Sequence, residues 1–238
     1  METSLYLIPN VLHPDSFGDT LPQHVKTVTA TLRQFFVEDI RAARRFLSRM
    51  SHPLPMEQLQ FFELNEHTSV NEISSFLPLL QADNSGIISD AGVPAVADPG
   101  ASLIKTAHDH NIRVVPLAGP SSILMALMAS GLNGQSFAFN GYLPVRQNDR
   151  IARIRTLERR SGAEGQTQIF IETPYRNMQL LEDLIACCKL ETLLCVAANI
   201  TATDEYISTR SIRRWKGNLP PLHKQPAVFC LQAVTSKK

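Results

Sequence analysis

The chain has 238 residues, 44% of them hydrophobic, with 15 Pro, 11 Gly and a formal net charge of +1. That length and composition hold one large core or two modest ones, and no low-complexity tract or internal repeat stands out. The longest low-charge stretch, residues 114–132, is broken by Pro116, Gly119 and Pro120 and reads as strand, loop and core helix, which excludes a membrane span.

In chain order, residues 5–8 read as a first strand ending at Pro9, 25–36 as a helix and a strand, and 39–50 as an amphipathic, Arg-rich helix. Residues 57–65 contain a strand. Residues 69–80 form a helix that Ser69 and Glu72 open with capping-box spacing. Residues 86–88 and 112–115 are β-branched strands; Leu103, Ile104 and Ala107 between them have helical spacing, so the three make a strand, crossover helix and parallel strand. A core helix at 123–131, a strand at 136–140, an Arg-rich helix and a strand at 167–172 follow. A helix at 178–188 precedes strands at 192–198, 205–210 and 227–233. The expectation is an α/β protein of two domains joined near 117–122: residues 1–118 around a mainly parallel sheet, and 119–238 around a mixed one.

Two Gly/Pro turns follow apolar strands directly. The first is Ser89-Asp90-Ala91-Gly92-Val93-Pro94 running on to Asp98-Pro99-Gly100; the second is Val114-Val115-Pro116-Leu117-Ala118-Gly119-Pro120-Ser121-Ser122. In an open parallel sheet, ligands bind outside the carboxyl ends of the strands, where these turns lie. Gly lets a ligand approach bare backbone, and Pro fixes the loop's shape. Neither G-x-G-x-x-G nor G-x-x-x-x-G-K-[ST] occurs, so dinucleotide-binding and NTPase readings are weak.

Together with Gly141-Tyr142-Leu143-Pro144, these blocks resemble the tetrapyrrole methylase superfamily, and within it the ribosomal RNA small subunit methyltransferase I group. The order and spacing hold from about Leu5 to Leu231, nearly the whole chain. The resemblance implies two α/β domains with an interdomain cofactor cleft, S-adenosylmethionine as methyl donor, S-adenosylhomocysteine as product, and a homodimer. It implies a methyltransferase related to the enzymes that methylate ribose 2′-hydroxyls of ribosomal RNA. A tetrapyrrole-like or other small metabolite as acceptor, and a noncatalytic binder of the donor, stay open as alternatives.

The donor carries a sulfonium, an amino-acid end and an adenosine, so its site needs backbone polar groups, apolar adenine contacts and few fixed cations. Carried over from the family, Pro9, Asp90, Ala91, Gly92, Val93 and Pro94 touch the donor, with Pro120, Ser121 and Ser122 helping to hold it. Ser121 and Ser122 equally suit a helix N-cap, and Asp90 an Asx turn. From the second domain, Ile171, Glu172, Ala197, Pro226 and Ala227 match positions lining the cleft or flanking the adenine, although buried strands have the same apolar character. Transfer to a hydroxyl needs a group that eases loss of its proton. Glu38, Asp39 and Arg41, and Glu66 after Asn65, resemble acidic segments facing the active cleft; Glu66 is the base to test first. Glu38, Asp39 and Arg41 read equally well as an ion pair at a helix start. No His/Cys/Asp spacing suggests a metal.

The departures concentrate on the acceptor side. The family's Pro-Thr-Pro-Ile-Gly-Asn-Leu segment has become Pro9-Asn10-Val11-Leu12-His13-Pro14-Asp15. Its Ala-Arg-Glu-Leu-Thr-Lys block has become Ala197-Ala198-Asn199-Ile200-Thr201-Ala202, and its Lys-Gly-Glu has become Lys224-Gln225-Pro226.

Charge divides unevenly: residues 1–119 carry −5 and residues 120–238 carry +6. Arg146, Arg150, Arg153, Arg155, Arg159 and Arg160 crowd one helix, and Arg210, Arg213, Arg214 and Lys216 a short segment. Such clusters read either as solvated helix faces or as grips on the phosphates of ribosomal RNA or the small ribosomal subunit. The four Cys form no C-x-x-C pair and read as inert thiols in a reducing compartment; with no basic leader at Met1-Glu2-Thr3-Ser4, a cytoplasmic protein is expected.

Overall fold

In the computed structural model, residues 3–234 are described; Met1 and Glu2, on which the leader reading partly rests, lie outside the described residues. The chain divides into two units, Met1–Ser121 and Ser122–Lys238.

The first unit runs β1 Ser4–Ile8, α1 Phe17–Thr20, α2 Gln23–Thr29, β2 Gln34–Val37, α3 Ile40–Arg49, β3 Gln60–Glu63, α4 Val70–Ser75, α5 Leu77–Ala82, β4 Ser85–Ile88, α6 Ala101–Asp109 and β5 Arg113–Pro116. Its sheet has the order β3-β2-β4-β1-β5 and every neighbouring pair is parallel. Strand residues alternate between two cores, as the pleat requires. Phe35 and Ile88 pack with α2 and α3 on one face, while Phe36 and Ile87 pack with α4 and α6 on the other. All five strands therefore end at one edge of the unit, and the loops from that edge carry the candidate residues.

The second unit runs α7 Ser122–Ser130, β6 Phe137–Tyr142, α8 Gln147–Glu164, β7 Thr167–Ile171, α9 Asn177–Cys187, β8 Leu193–Ala198, β9 Tyr206–Ser211, α10 Ile212–Trp215 and β10 Ala227–Gln232. The order is β6-β7-β10-β8-β9, with β6 and β7 parallel and the remaining pairs antiparallel. Phe170, Val196 and Phe229 face a core shared with α8 and α9. Trp215 is fully buried there, and its indole N–H donates to Leu194 O at 3.0 Å.

Two sequence expectations need correction. The single helix expected over 69–80 is two, broken at Phe76, because Pro78 lacks the N–H that a continuous helix needs and sits instead in the first turn of α5. The capping box at Ser69 and Glu72 is present as read. The Arg-rich helix does not offer all its arginines to a partner. Arg150 is 1% exposed and its guanidinium holds the Asp183 carboxylate at 2.6 Å, with further bonds to the Pro144 and Val145 carbonyls. It lies on the buried stripe of α8 with Ile154, Leu157 and Ser161 and joins α8 to α9.

Candidate functional site

The turn after β4 is held to the turn after β1 by one residue. Asn10 N–H donates to Gly92 O at 2.8 Å and Gly92 N–H donates to Asn10 O at 3.1 Å. The Asn10 side-chain amide donates to the carbonyls of Ser89 and Asp90, both at 3.1 Å. The Ser89 hydroxyl donates to Ala91 O at 2.8 Å. The four consecutive carbonyls of Ser89, Asp90, Ala91 and Gly92 are thus all occupied within the unit. Among the described residues, the N–H groups of Ala91 and Val93 have no hydrogen-bond partner. The turn therefore offers donors, which suits a carboxylate. Gly92 adopts φ +76°, and a Cβ built on it would stand 3.3 Å from Leu12 Cδ2 and 3.6 Å from Pro120 O. The left-handed conformation favours glycine, and the space beside it is narrow.

Pro9 and Pro120 bracket this turn from the ends of β1 and β5. Gly119 passes so close to Pro9 that a Cβ on it would lie 2.2 Å from Pro9 Cβ, which fixes glycine there. Ser121 closes the first unit and Ser122 opens α7 in the second.

Carboxyl groups gather on the other side of the turn. Asp39 caps α3, accepting from Ala42 N–H at 2.8 Å, and this bond holds its carboxyl below the usual aspartate value. Arg41 and Arg45 add positive charge beside it. Partial desolvation, then the Glu38 and Asp39 charges, push the Asp90 carboxyl up, while the Asp39 N–H donates to it. Asp98, further along the same loop, is pushed up to about 7, chiefly by burial, with the nearby Ser89 hydroxyl opposing the rise and the neighbouring Glu38 and Asp90 carboxyls adding to it. The Asp98 carboxyl thus keeps its proton to a higher pH than an ordinary aspartate does. Ala95 at φ +63° and Ala97 at φ +58° twist the loop between the two aspartates into conformations that L-residues rarely adopt.

Glu66 stands apart from this group. It follows the edge strand β3, two strands from β4, is 82% exposed, and has His67 Nε2 3.6 Å away. No hydrogen bond among the described residues joins it to the Asp90 turn.

In the second unit, Ile171 and Ala197 flank Val228 across adjacent strands, and Ala227 pairs with Ala198. Pro226 O accepts from Asn199 N–H at 3.0 Å. The apolar positions therefore share the end of the sheet where β7 and β8 stop and β10 begins. Glu172 differs from them: its carboxylate is buried, accepts from Thr173 N–H at 2.7 Å and pairs with Arg176 at 2.6 Å. It shapes the corner before α9.

The chain is 33% identical over 214 residues to ribosomal RNA small subunit methyltransferase I of Mesorhizobium japonicum, spanning 90% of this chain and 69% of that relative. It belongs to the ribosomal RNA small subunit methyltransferase I family. The Synechocystis relative of the same name is 31% identical over 216 residues, covering 90% of this chain and 71% of its own. The Escherichia coli O157:H7 relative is 35% identical over 149 residues, covering 62% and 51%. No family model matches the chain. Among solved structures, the methyltransferase CobJ aligns over 100% of this chain and 96% of its own with a TM-score of 0.64 at 16% identity, a likeness of fold. The two-unit α/β architecture is thus one that a solved methyltransferase shares.

Family membership explains the turn motifs but not what holds them. Asn10, Ser89 and Asp98 were not among the residues singled out from the sequence. Asp98 and Ser89 stood inside the quoted motif, and only burial sets Asp98 apart. Asn10 stands at the Thr of the family's Pro-Thr-Pro-Ile-Gly-Asn-Leu segment, and its partners lie 79 and 80 residues away.

Proposed function

We propose that the chain transfers a methyl group from S-adenosylmethionine to small-subunit ribosomal RNA. The observation that carries the donor half is the Ser89–Val93 turn, with its carbonyls all occupied and two N–H groups open at the carboxyl edge of a parallel sheet. Its donors suit the carboxylate of the amino-acid end, and Asp90 with the Glu38–Asp98 pair suits the ammonium and sulfonium. Gly92, held left-handed with Leu12 and Pro120 against it, keeps the turn's shape and leaves its backbone bare. When bound, the donor supplies an electrophilic methyl group. The chain's own residues orient it, and Glu38, exposed at the start of the loop before α3, is the carboxylate we assign to take the proton that an acceptor hydroxyl gives up. Asp39, committed to its helix cap, keeps α3 and hence Glu38 in position. Within the second unit, Ile171, Ala197, Pro226 and Ala227 share one end of the sheet and form an apolar surface of the kind an adenine packs on.

The acceptor half rests on the relatives, which are named for ribosomal RNA of the small subunit. Arg146 at the start of α8, Arg153, Arg155 and Arg159 on it, and Arg214 and Lys216 beyond β9 are exposed and suit phosphate contact. The same reading places the protein in the cytoplasm as a homodimer, with the exposed Met128 on α7 on the apolar face that a second copy would cover. The test pairs calorimetric titration with the donor and incorporation of labelled methyl into small ribosomal subunits. Gly92→Val is expected to stay folded and lose donor binding, and label is expected in ribosomal RNA with the wild type. Wild-type donor affinity in the folded variant refutes the placement of the donor; donor binding with label only in a metabolite extract refutes the acceptor.

A further inference from the structure

We infer that Asn10 is a positioning residue for the methyl donor, holding the Ser89–Gly92 turn so that the Ala91 and Val93 N–H groups stay open to the ligand. This rests on the donor reading above and adds a residue that the family motifs do not contain.

The side chain is suited to this by its functional groups. Two carbonyls one residue apart, Ser89 O and Asp90 O, need two N–H donors on one short side chain, which a primary amide supplies. Its Oδ1 accepts from Val11 N–H at 2.8 Å, which fixes the amide with its NH₂ toward the turn. A hydroxyl has one proton and reaches one carbonyl. A carboxylate would face two carbonyls with none. Lysine or arginine would satisfy the carbonyls but set a fixed cation beside the place proposed for a sulfonium. Asparagine alone among these donates twice and stays neutral.

The turn needs such a restraint. Gly92 is at φ +76° and Ala95 and Ala97 are also left-handed. Glu38, Asp39, Asp90 and Asp98 stand close enough to repel one another, with Arg41 and Arg45 the cations beside Asp39. Asn10 binds the loop to β1 from the opposite side through three bonds to its carbonyls and one from Gly92 N–H.

The test compares wild type with Asn10→Ala and the isosteric Asn10→Asp, measuring donor Kd, donor KM, acceptor KM, kcat at saturating donor, and hydrogen exchange of the peptide spanning residues 89–94. Both variants are expected to raise donor Kd and KM about tenfold, as the loss of roughly one hydrogen bond's net worth predicts. Acceptor KM and saturated kcat should stay within about twofold, a split that general destabilisation does not produce. Val25→Ala, a core truncation on α2, should lower the melting temperature and leave donor KM alone. Donor is expected to slow exchange of the 89–94 peptide in the wild type, a readout independent of whether the variants fold. Wild-type donor affinity in folded Asn10→Ala and Asn10→Asp, or no protection of that peptide by bound donor, overturns the role of Asn10. No donor binding by the wild type overturns the donor reading first and this inference with it.

Discussion

Gly119→Ala tests how the carboxyl edge of the first sheet is packed. The added Cβ would lie 2.2 Å from Pro9 Cβ and 2.3 Å from Pro9 Cγ. Carbon atoms rest at about 3.5–4.0 Å, so the two segments must part by roughly 1.5 Å. Pro9 is buried and its ring has no rotamer to yield, so the backbone has to move. That movement pulls on the bond from Leu117 N–H to Leu7 O, 3.0 Å long, at the end of the β1–β5 pair. Overpacking of this kind costs about 1–3 kcal/mol and a weakened hydrogen bond about 1 more, so a loss near 3 kcal/mol is expected. With a urea slope of about 2 kcal/mol/M, the midpoint of the first unit should fall by roughly 1.5 M. The only tryptophan, Trp215, belongs to the second unit, so the measurement is hydrogen exchange of the β1 and β5 peptides at graded urea. A midpoint within about 0.2 M of wild type would show that the close approach of Pro9 and Gly119 does not exist in solution.

Asp98→Asn should change how stability depends on pH. The unfolded chain gives up this proton near 3.8 and the folded chain near about 7, so the folded state holds the extra proton between them and wild-type stability falls as pH rises through that window. The variant should lack that fall and melt higher than wild type at pH 8; parallel melting profiles would refute it. Reversing Arg153 and Arg155 to glutamate should weaken retention of ribosomal RNA at low salt, flatten its salt dependence and leave donor affinity intact; unchanged retention makes that face of α8 merely solvated. Gly162→Ala within α8 puts a methyl 3.5 Å from Ala233 Cβ, ordinary contact, and should stabilise the second unit by about 0.5–1 kcal/mol, read by Trp215 fluorescence in urea.

Much of the fold was legible because each strand announces itself locally. The alternation of Phe35 and Phe36, or Ile87 and Ile88, between opposite cores is a property of adjacent residues, and the Ser69–Glu72 cap spans one helical turn. The break at Phe76 was also legible, since Pro78 stands three residues inside the segment's second half. So was the burial of Arg150, which shares its helix face with Ile154 and Leu157; reading the arginines as one charge cluster hid that spacing. The candidate site was visible as motifs, and its chemistry was not. That Asp98 is buried with Glu38 beside it, and that Asn10 occupies the Ser89 and Asp90 carbonyls, depends on chain segments some 60 to 80 positions apart meeting at one edge. Glu66 shows the converse: an acidic residue next to a strand end that the strand order sets at the margin.

The strand order also dictates when the first unit can close during synthesis. β1 is made first yet lies between β4 and β5, so Leu5 and Ile8 wait for their neighbours until about 80 and then 110 further residues have emerged. At bacterial or eukaryotic elongation rates that wait is on the order of ten seconds, during which β2 and β3 already have each other. The unit is therefore born with β1 unpartnered; the turn that meets Asn10 arrives with β4, and the Gly119 turn that meets Pro9 is among the last parts of the unit to be made.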